Sequence, residues 1–366
     1  MNDTARDPSP VLPPLPGVPQ GSGGGRIKAE PRDFVVDEIP AYPPAGEGEF
    51  FLLHLEKEDV AAGEFLQQIA RRLGVPRETI GAAGMKDRRA ITRQWVSVPS
   101  RGVDPTQVEG PVGQTGAIRL LAVDRHPQKL RTGHLHGNRF SVRLTERSPD
   151  DDALAAEILS ALATRGMPNA FGPQRFGHGS TMRAGFAVLR GDFVRDRHLR
   201  RLGISAVQAW VFNLWLAKRL AAGTVEQAIE GDVLKKRESG GIFNCTEPEV
   251  DTARIRAGEL VVTGPLPGSK LRRALGPSAE LEDAALVEAG LAANAFAAIG
   301  KLAPGTRRPA LVFPKDVATH RDERGLVLEF TLQPGAYATV LLAAICGSPG
   351  DGGEGDESGE DADSEG

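Results

Sequence analysis

A chain of 366 residues, 40% apolar and 25% charged, has the composition of a folded globular protein and the length for two domains or one large one. No run of about 18 apolar residues occurs and Met1-Asn-Asp-Thr shows no basic region followed by an apolar one, so neither a membrane-spanning helix nor a signal peptide is expected, and the cytoplasm is the expected compartment. The net charge of -4 hides an asymmetry: residues 347–366 hold eight acids and no Lys or Arg, so the remainder carries +4, a mild basicity that permits an anionic partner without requiring one.

Residues 1–25 are rich in Pro and Gly and end in Gly21-Ser-Gly-Gly-Gly25, which reads as a flexible tail because so little apolar surface can be buried. Asp33 to Ile39 reads as a strand, Pro40 to Gly48 as a loop, and Glu49 to Lys57 as a second, apolar strand. Asp59 is placed to cap a helix over 60–73, with Phe65, Leu66, Ile69 and Leu73 on one face and Gly74 as its stop. Strands follow at 94–98, 118–123 and 138–144, the last alternating as a half-buried strand should. Between the last two, residues 125–139 pack four firm cations and three histidines into fifteen residues, which fits a solvated hairpin connection or a phosphate-contacting loop.

Helical spacing takes over at 153–162, and again where Ser205 is expected to cap a helix carrying Val207, Trp210, Val211, Leu214, Ala217 and Leu220, with Gly223 as the stop. The glycine-rich stretch Asn169 to Gly177 fits no regular element. Strand character returns at 310–313, a hairpin is predicted from 317–320 and 326–332 around the charged turn 321–325, and a helix from 336–345 closes the pattern. The succession of strand-rich, helix-rich and strand-rich segments predicts one α+β domain split by an inserted domain, followed by the acidic tail 347–366.

The stretch Gly81-Ala-Ala-Gly84-Met85-Lys86-Asp87-Arg88-Arg89-Ala-Ile-Thr92 places one carboxylate among cations behind paired glycines. Glycines at 81 and 84 allow close approach, and Lys86, Arg88 and Arg89 favour an ionised Asp87 fit for nucleophilic or base work on an anionic substrate. The same composition also fits a solvated mixed-charge turn, and local sequence does not separate the two. Phosphate-loop, dinucleotide, nucleophile-elbow and zinc-protease signatures are missing, and Cys245 and Cys346 are too few for a disulfide framework or a Cys-based metal site. The site therefore calls for neither metal nor redox cofactor.

Six stretches occur together in order: Asp33-Phe34-x-Val-x-Glu38; Gly46-x-Gly48-Glu49; Gly84-Met-Lys86-Asp87-Arg88-Arg89-Ala90-x-Thr92-x-Gln94; Gly137-Asn138-x-Phe140; Pro168-Asn169-x-Phe171-Gly172-x-Gln174-Arg175-Phe176-Gly177; and Phe330-x-Leu332-x-Pro334-Gly335-x-Tyr337-Ala338-Thr339. This set resembles the TruD family of tRNA pseudouridine synthases over residues 27–346. The resemblance implies a mixed or antiparallel-sheet catalytic domain over 26–166 and 312–346, interrupted by a mainly helical α+β domain over 167–311. It implies isomerisation of a tRNA uridine, at position 13 of the D arm, to pseudouridine without a cofactor. It places the catalytic aspartate at Asp87 and target-base contacts at Phe34, Asn138 and Phe330.

Lys86, Arg88, Arg89, Lys129, Arg131, Arg139 and Arg175 are the expected RNA contacts, with tRNA as partner to a monomer. Outside the resemblance, either Phe fits core packing at a strand and Asn138 fits a turn. The alternative function is a non-catalytic RNA-binding protein. Ala170, Gln333, Ala336 and Asp59-Val60-Ala61-Ala62 depart from common family residues, with the first bearing on a local RNA contact and the others on loop stability. Attack by Asp87 on the ribose C1′ and attack on the uracil ring both remain open.

Overall fold

The computed structural model describes residues 12–21, 24–177, 179–347 and 350–351. The expected tails fall outside the described residues at 1–11, 22–23, 348–349 and 352–366. Two compact units divide the chain. One takes Gly21–Ala163, Pro314–Ala338 and the described residues from Leu342 onward; the other takes Thr164–Phe313, Thr339–Leu341 and the described residues up to Gln20.

In chain order, the first unit begins with β1 (Phe34–Pro40), β2 (Phe50–Glu58), α1 (Ala62–Leu73), β3 (Gly81–Ala82), β4 (Ile91–Pro99), β5 (Gly110–Val112), β6 (Gly116–His126) and β7 (Leu135–Leu144). Helix α2 (Asp152–Arg165) leads into the inserted unit, with α3 (Ser180–Leu189), α4 (Arg197–Ala221), β8 (Val233–Lys236), β9 (Ile242–Asn244), β10 (Leu260–Leu266), α5 (Gly276–Glu288) and β11 (Thr306–Pro309). The chain then returns through β12 (Lys315–Asp322), β13 (Gly325–Leu332) and α6 (Ala338–Cys346).

The first unit is built on a nine-stranded sheet in the order β12-β13-β7-β1-β4-β2-β6-β5, with β3 alongside β4. Its pairs are antiparallel except β1 with β4, where Val36 lies beside Thr92. Sequence distance is thereby erased: β13 pairs with β7 across the whole insert. Helix α1 forms because Phe65, Leu66, Ile69, Ala70 and Leu73 recur at helical spacing and bury against Leu53, Leu55 and Val96, each such large side chain contributing roughly 1.5–3 kcal/mol. Gly74 ends it in the left-handed conformation at φ 65°.

Asp59 does not cap α1 as expected. The cap position is Ala61, without a side-chain bond, while Asp59 adopts φ 50° and its carboxylate accepts the Thr115 hydroxyl at 2.6 Å.

The inserted unit sets α3 and α4 against a four-stranded antiparallel sheet ordered β9-β8-β10-β11. The helix backbones meet at Gly185 and Gly203, where a Cβ on Gly185 would lie 2.2 Å from the Gly203 carbonyl oxygen. Trp210, Val211, Phe212, Trp215 and Leu216 of α4 form the core with Val262 of β10. At its edge the buried Arg219 meets the buried Asp232 at 3.1 Å, and the Ser278 hydroxyl donates to Asp232 at 2.6 Å. Two expectations are corrected here. Ser205 lies inside α4; the true cap is Asp196, whose carboxylate accepts from the His198 and Leu199 N–H groups, so an arginine-rich first turn concealed the helix start. Within the expected N-terminal tail, Leu15 is buried in this unit's core with Leu12 and Val18 against it, because three apolar side chains spaced among prolines dock without needing a regular element.

Candidate active site

Along each strand of the large sheet the side chains alternate between faces, and residues paired directly across strands share a face. Val36 of β1 pairs with Phe140 of β7 and Thr92 of β4, Phe140 pairs with Phe330 of β13, and Thr92 pairs with Lys57 of β2. Two-residue steps from these pairs put Phe34, Glu38, Asn138, Gln94 and Leu332 on the same face. Register therefore gathers Phe34, Asn138 and Phe330 from both sides of the insert.

Asp87 sits in the turn between β3 and β4, with its side chain 45% exposed. Three anchors fix that turn against the site face. Lys57, wholly buried, donates from Nζ to the Asp87 and Val60 carbonyl oxygens, each at 2.6 Å. The Gly133 N–H donates to the Ala83 carbonyl at 2.8 Å, and Asp59 N–H donates to Ala90 at 3.2 Å. Burial pushes the Lys57 ammonium down from its ordinary 10.5 to about 8, with the Asp87 charge opposing that fall. Of the two glycines, only Gly81 answers a steric need, since a Cβ there would lie 2.2 Å from the Leu130 carbonyl oxygen; at Gly84 a Cβ would meet only Lys86 Nζ, at an ordinary contact distance of 3.9 Å.

The Asp87 carboxylate meets Lys28 Nζ at 3.5 Å, and the same ammonium stands 4.7 Å from the centre of the Phe34 ring. Lys28 thus links carboxylate and ring, itself at φ 54° and with only 12% of its side chain exposed. Beside them Lys86 Nζ donates to Asn138 Oδ1 at 2.8 Å and forms an ion pair with Glu38 Oε2 at 2.8 Å, both charged side chains being almost fully buried. Glu38 Oε1 in turn accepts the Trp95 N–H at 3.3 Å. Phe330 is buried and stacks on Phe140 at 5.2 Å, and Phe34, also buried, meets Phe140 edge-on at 6.1 Å. The arrangement offers an accessible carboxylate with Lys28 as its counter-ion and an amide of fixed orientation, over three aromatic rings that lie buried behind them.

The chain matches the family model described as tRNA pseudouridine synthase D (TruD) over residues 19–195 and 194–345. The chain belongs to the TruD family. It is 42% identical over 339 residues to the tRNA pseudouridine synthase D of Anaeromyxobacter sp. (strain Fw109-5), covering 90% of this chain and 93% of that one. A protein of the same description from Thermus thermophilus is 40% identical over 333 residues, covering 90% of each. A crystal structure from Methanosarcina mazei, of a candidate tRNA pseudouridine synthase D, shares the fold with a TM-score of 0.71 at 24% identity, over 90% of this chain and 95% of that one.

In this TruD-family chain the seven cations picked from sequence have different surroundings. Lys86 is committed to Asn138 and Glu38, so it orders the site instead of reaching out. Arg88 lies 3.8 Å from Asp59, and Arg89 donates to the Ala29 carbonyl at 2.8 Å. Lys129 donates to the Glu78 carbonyl, whereas the exposed Arg131 side chain has no partner among the described residues. Arg139 points to the reverse face: it pairs with Asp37 at the end of a row of alternating charge through Arg93, Glu56 and Arg119. Adjacent strand residues face opposite ways, so Asn138 and Arg139 cannot serve one site. Arg175 belongs to the inserted unit, where its guanidinium donates to Ser205 and lies 5.7 Å from the centre of the Phe171 ring.

Sequence reasoning missed Lys28 and Lys57. A signal for Lys57 existed, since it shares the parity of Leu53 and Leu55 in an apolar strand and so had to face the core. Lys28, in the short stretch before β1, carried none.

Proposed function

We propose that the protein isomerises a uridine of tRNA to pseudouridine, at position 13 in the D arm, with Asp87 as its nucleophile. The observation that carries this reading is the Asp87 carboxylate held 3.5 Å from Lys28 on the sheet face that bears Phe34 and Asn138, in a chain of the TruD family. The reaction breaks the N1–C1′ bond and joins C5 to C1′; C5 gives up its proton and N1 gains one. Atoms and electrons balance within one nucleotide, so no cofactor is needed.

A uracil must first leave the RNA stack, at a few kcal/mol that contacts in the site offset. To stack on Phe34 the base must displace the Lys28 ammonium from above the ring, which also exchanges the partner of Asp87. Asn138 Oδ1 is held by Lys86, so its Nδ2 is the end left to donate to a uracil carbonyl oxygen. Attack at C1′ and attack on the ring both begin from the same carboxylate.

The test is conversion of uridine in a D-arm-containing tRNA transcript by the wild type and by Asp87→Asn. Conversion by the wild type, and none by an Asn variant that still binds the transcript, is the expected result. Full activity of Asp87→Asn removes the assignment. A wild type that binds with steep salt dependence but forms no pseudouridine at any concentration is instead an RNA-binding protein.

A further inference from the structure

The loop between β1 and β2 carries an aromatic side chain that the chemistry above does not use. Tyr42 is 47% exposed, and its hydroxyl has no hydrogen-bond partner among the described residues. Two histidines flank it: His134 of the β6–β7 connection edge-on, with ring centres 5.2 Å apart and planes at 87°, and His126 at the end of β6 tilted by 34° at 6.2 Å. Neither is stacked on the Tyr42 ring.

The loop is held firmly where it presents that ring. Ala41 N–H donates to the His134 carbonyl at 3.3 Å, Ala45 N–H to Arg125 at 3.0 Å, and Gly46 N–H to the Asp124 carboxylate at 3.0 Å. Gly48, at φ 127°, passes so close that a Cβ would lie 2.3 Å from the His126 backbone. An isolated exposed aromatic is ordinary, but a ring fixed by main-chain bonds at each side loses little entropy on receiving a partner.

Charge indicates which partner. The connection bears exposed Arg131 and half-buried Lys129, and the end of β6 bears exposed Arg125, whose guanidinium donates to the Gly48 carbonyl at 3.2 Å, while Asp124 beside it already accepts the Gly46 and Arg125 N–H groups. Glu47 and Glu49 are the acids of the Tyr42 loop itself, beyond Gly46. The connection is tied to the catalytic turn through Gly133 N–H and the Ala83 carbonyl. An open aromatic face among cations is the pattern that binds an unpaired nucleobase with its flanking phosphates.

We propose that Tyr42, framed by His126 and His134, is a stacking site for an unstacked nucleobase of the tRNA other than the one isomerised, with Arg131 taking an adjacent phosphate. The site sits on the same body as Asp87 and beside its turn, so a nucleotide neighbouring the target in space is held there while the target is extruded. This inference rests on the tRNA reading above.

The experiment measures tRNA transcript affinity, its salt dependence and pseudouridine formation for the wild type, Tyr42→Ala, Tyr42→Phe and Arg131→Ala. Tyr42→Ala is expected to weaken affinity about tenfold, with turnover at saturating transcript unchanged and the salt slope unchanged, because a ring and no charge is lost. Tyr42→Phe is expected to match the wild type, since stacking needs the ring and not the hydroxyl. Unchanged affinity for Tyr42→Ala overturns the proposal, as does an equal loss for Tyr42→Phe. Failure of the tRNA reading itself is separate: the wild type then neither binds nor converts the transcript.

Discussion

Replacing Lys57 with Met separates what the buried ammonium does for stability from what it does for the site. Its loss leaves the Val60 and Asp87 carbonyl oxygens without their donor, at about 1–3 kcal/mol each if no water replaces it. Against this, the fall in the Lys57 pKa from 10.5 to about 8 corresponds to a net penalty on the charged form of about 3 kcal/mol, which Met does not incur. The lost donors, about 2–6 kcal/mol together, are offset in part by that about 3 kcal/mol, so stability near neutral pH is expected to fall by no more than about 3 kcal/mol.

Activity has no such compensation. The Asp87 turn loses an anchor on its own carbonyl, and a displacement of about 1 Å at a reacting group costs on the order of 100-fold in turnover. Single-turnover pseudouridine formation at saturating tRNA, alongside thermal unfolding, tests both halves. A Met variant that turns over within threefold of the wild type refutes the anchoring argument. The pH dependence supplies an independent check. Because the folded chain releases the Lys57 proton near pH 8 and the unfolded chain near 10.5, the unfolded state binds more protons in between. The wild type should therefore gain stability as pH rises through that window, by at most about 3 kcal/mol, and the Met variant should not gain this contribution.

Arg131→Ala is expected to lower the slope of log affinity against log salt by about one, and Lys129→Ala by less, since that amine is already bonded to the Glu78 carbonyl; equal slopes for both would refute the distinction. Phe330→Ala should lose about 3–5 kcal/mol in denaturant unfolding because the ring is fully buried against Phe140; Phe330→Leu should keep the fold, so a fall in its kcat/KM would support a base contact and an unchanged kcat/KM would leave the ring as core packing. Asp232→Asn should destabilise the inserted unit by about 3–5 kcal/mol, leaving Arg219 an unpaired buried cation; a melting temperature within a degree or two of the wild type would refute this.

Element types were legible wherever a period was clean. The alternation of 138–144 and the helical spacing of Phe65, Leu66, Ile69 and Leu73 are statements about which face is apolar, and the structure has the strand and the helix there. Helix starts were not, because caps depend on which backbone donors a side chain meets: Asp59 and Ser205 had the right chemistry at the wrong place, and Asp196 did the work attributed to Ser205. Composition also misread the N-terminal stretch, since Leu15 is buried by a surface that composition cannot see.

By itself the chain determined the α+β class and, through its six ordered stretches, the family, because these depend on residue types and their spacing along one dimension. Tertiary structure decided who meets whom. Pairing of β1 with β4 and of β7 with β13 brings Phe34, Asn138 and Phe330 to one face and turns Arg139 to the other, a sorting that follows from strand register and two-residue periodicity. It also converted Lys86 from a surface cation into the buried partner of Asn138, and supplied Lys28 and Lys57 to the side chain and carbonyl of Asp87. Charge counted along a chain gives a sum; only distance and burial in three dimensions decide which charges are spent inside the protein and which remain for a partner.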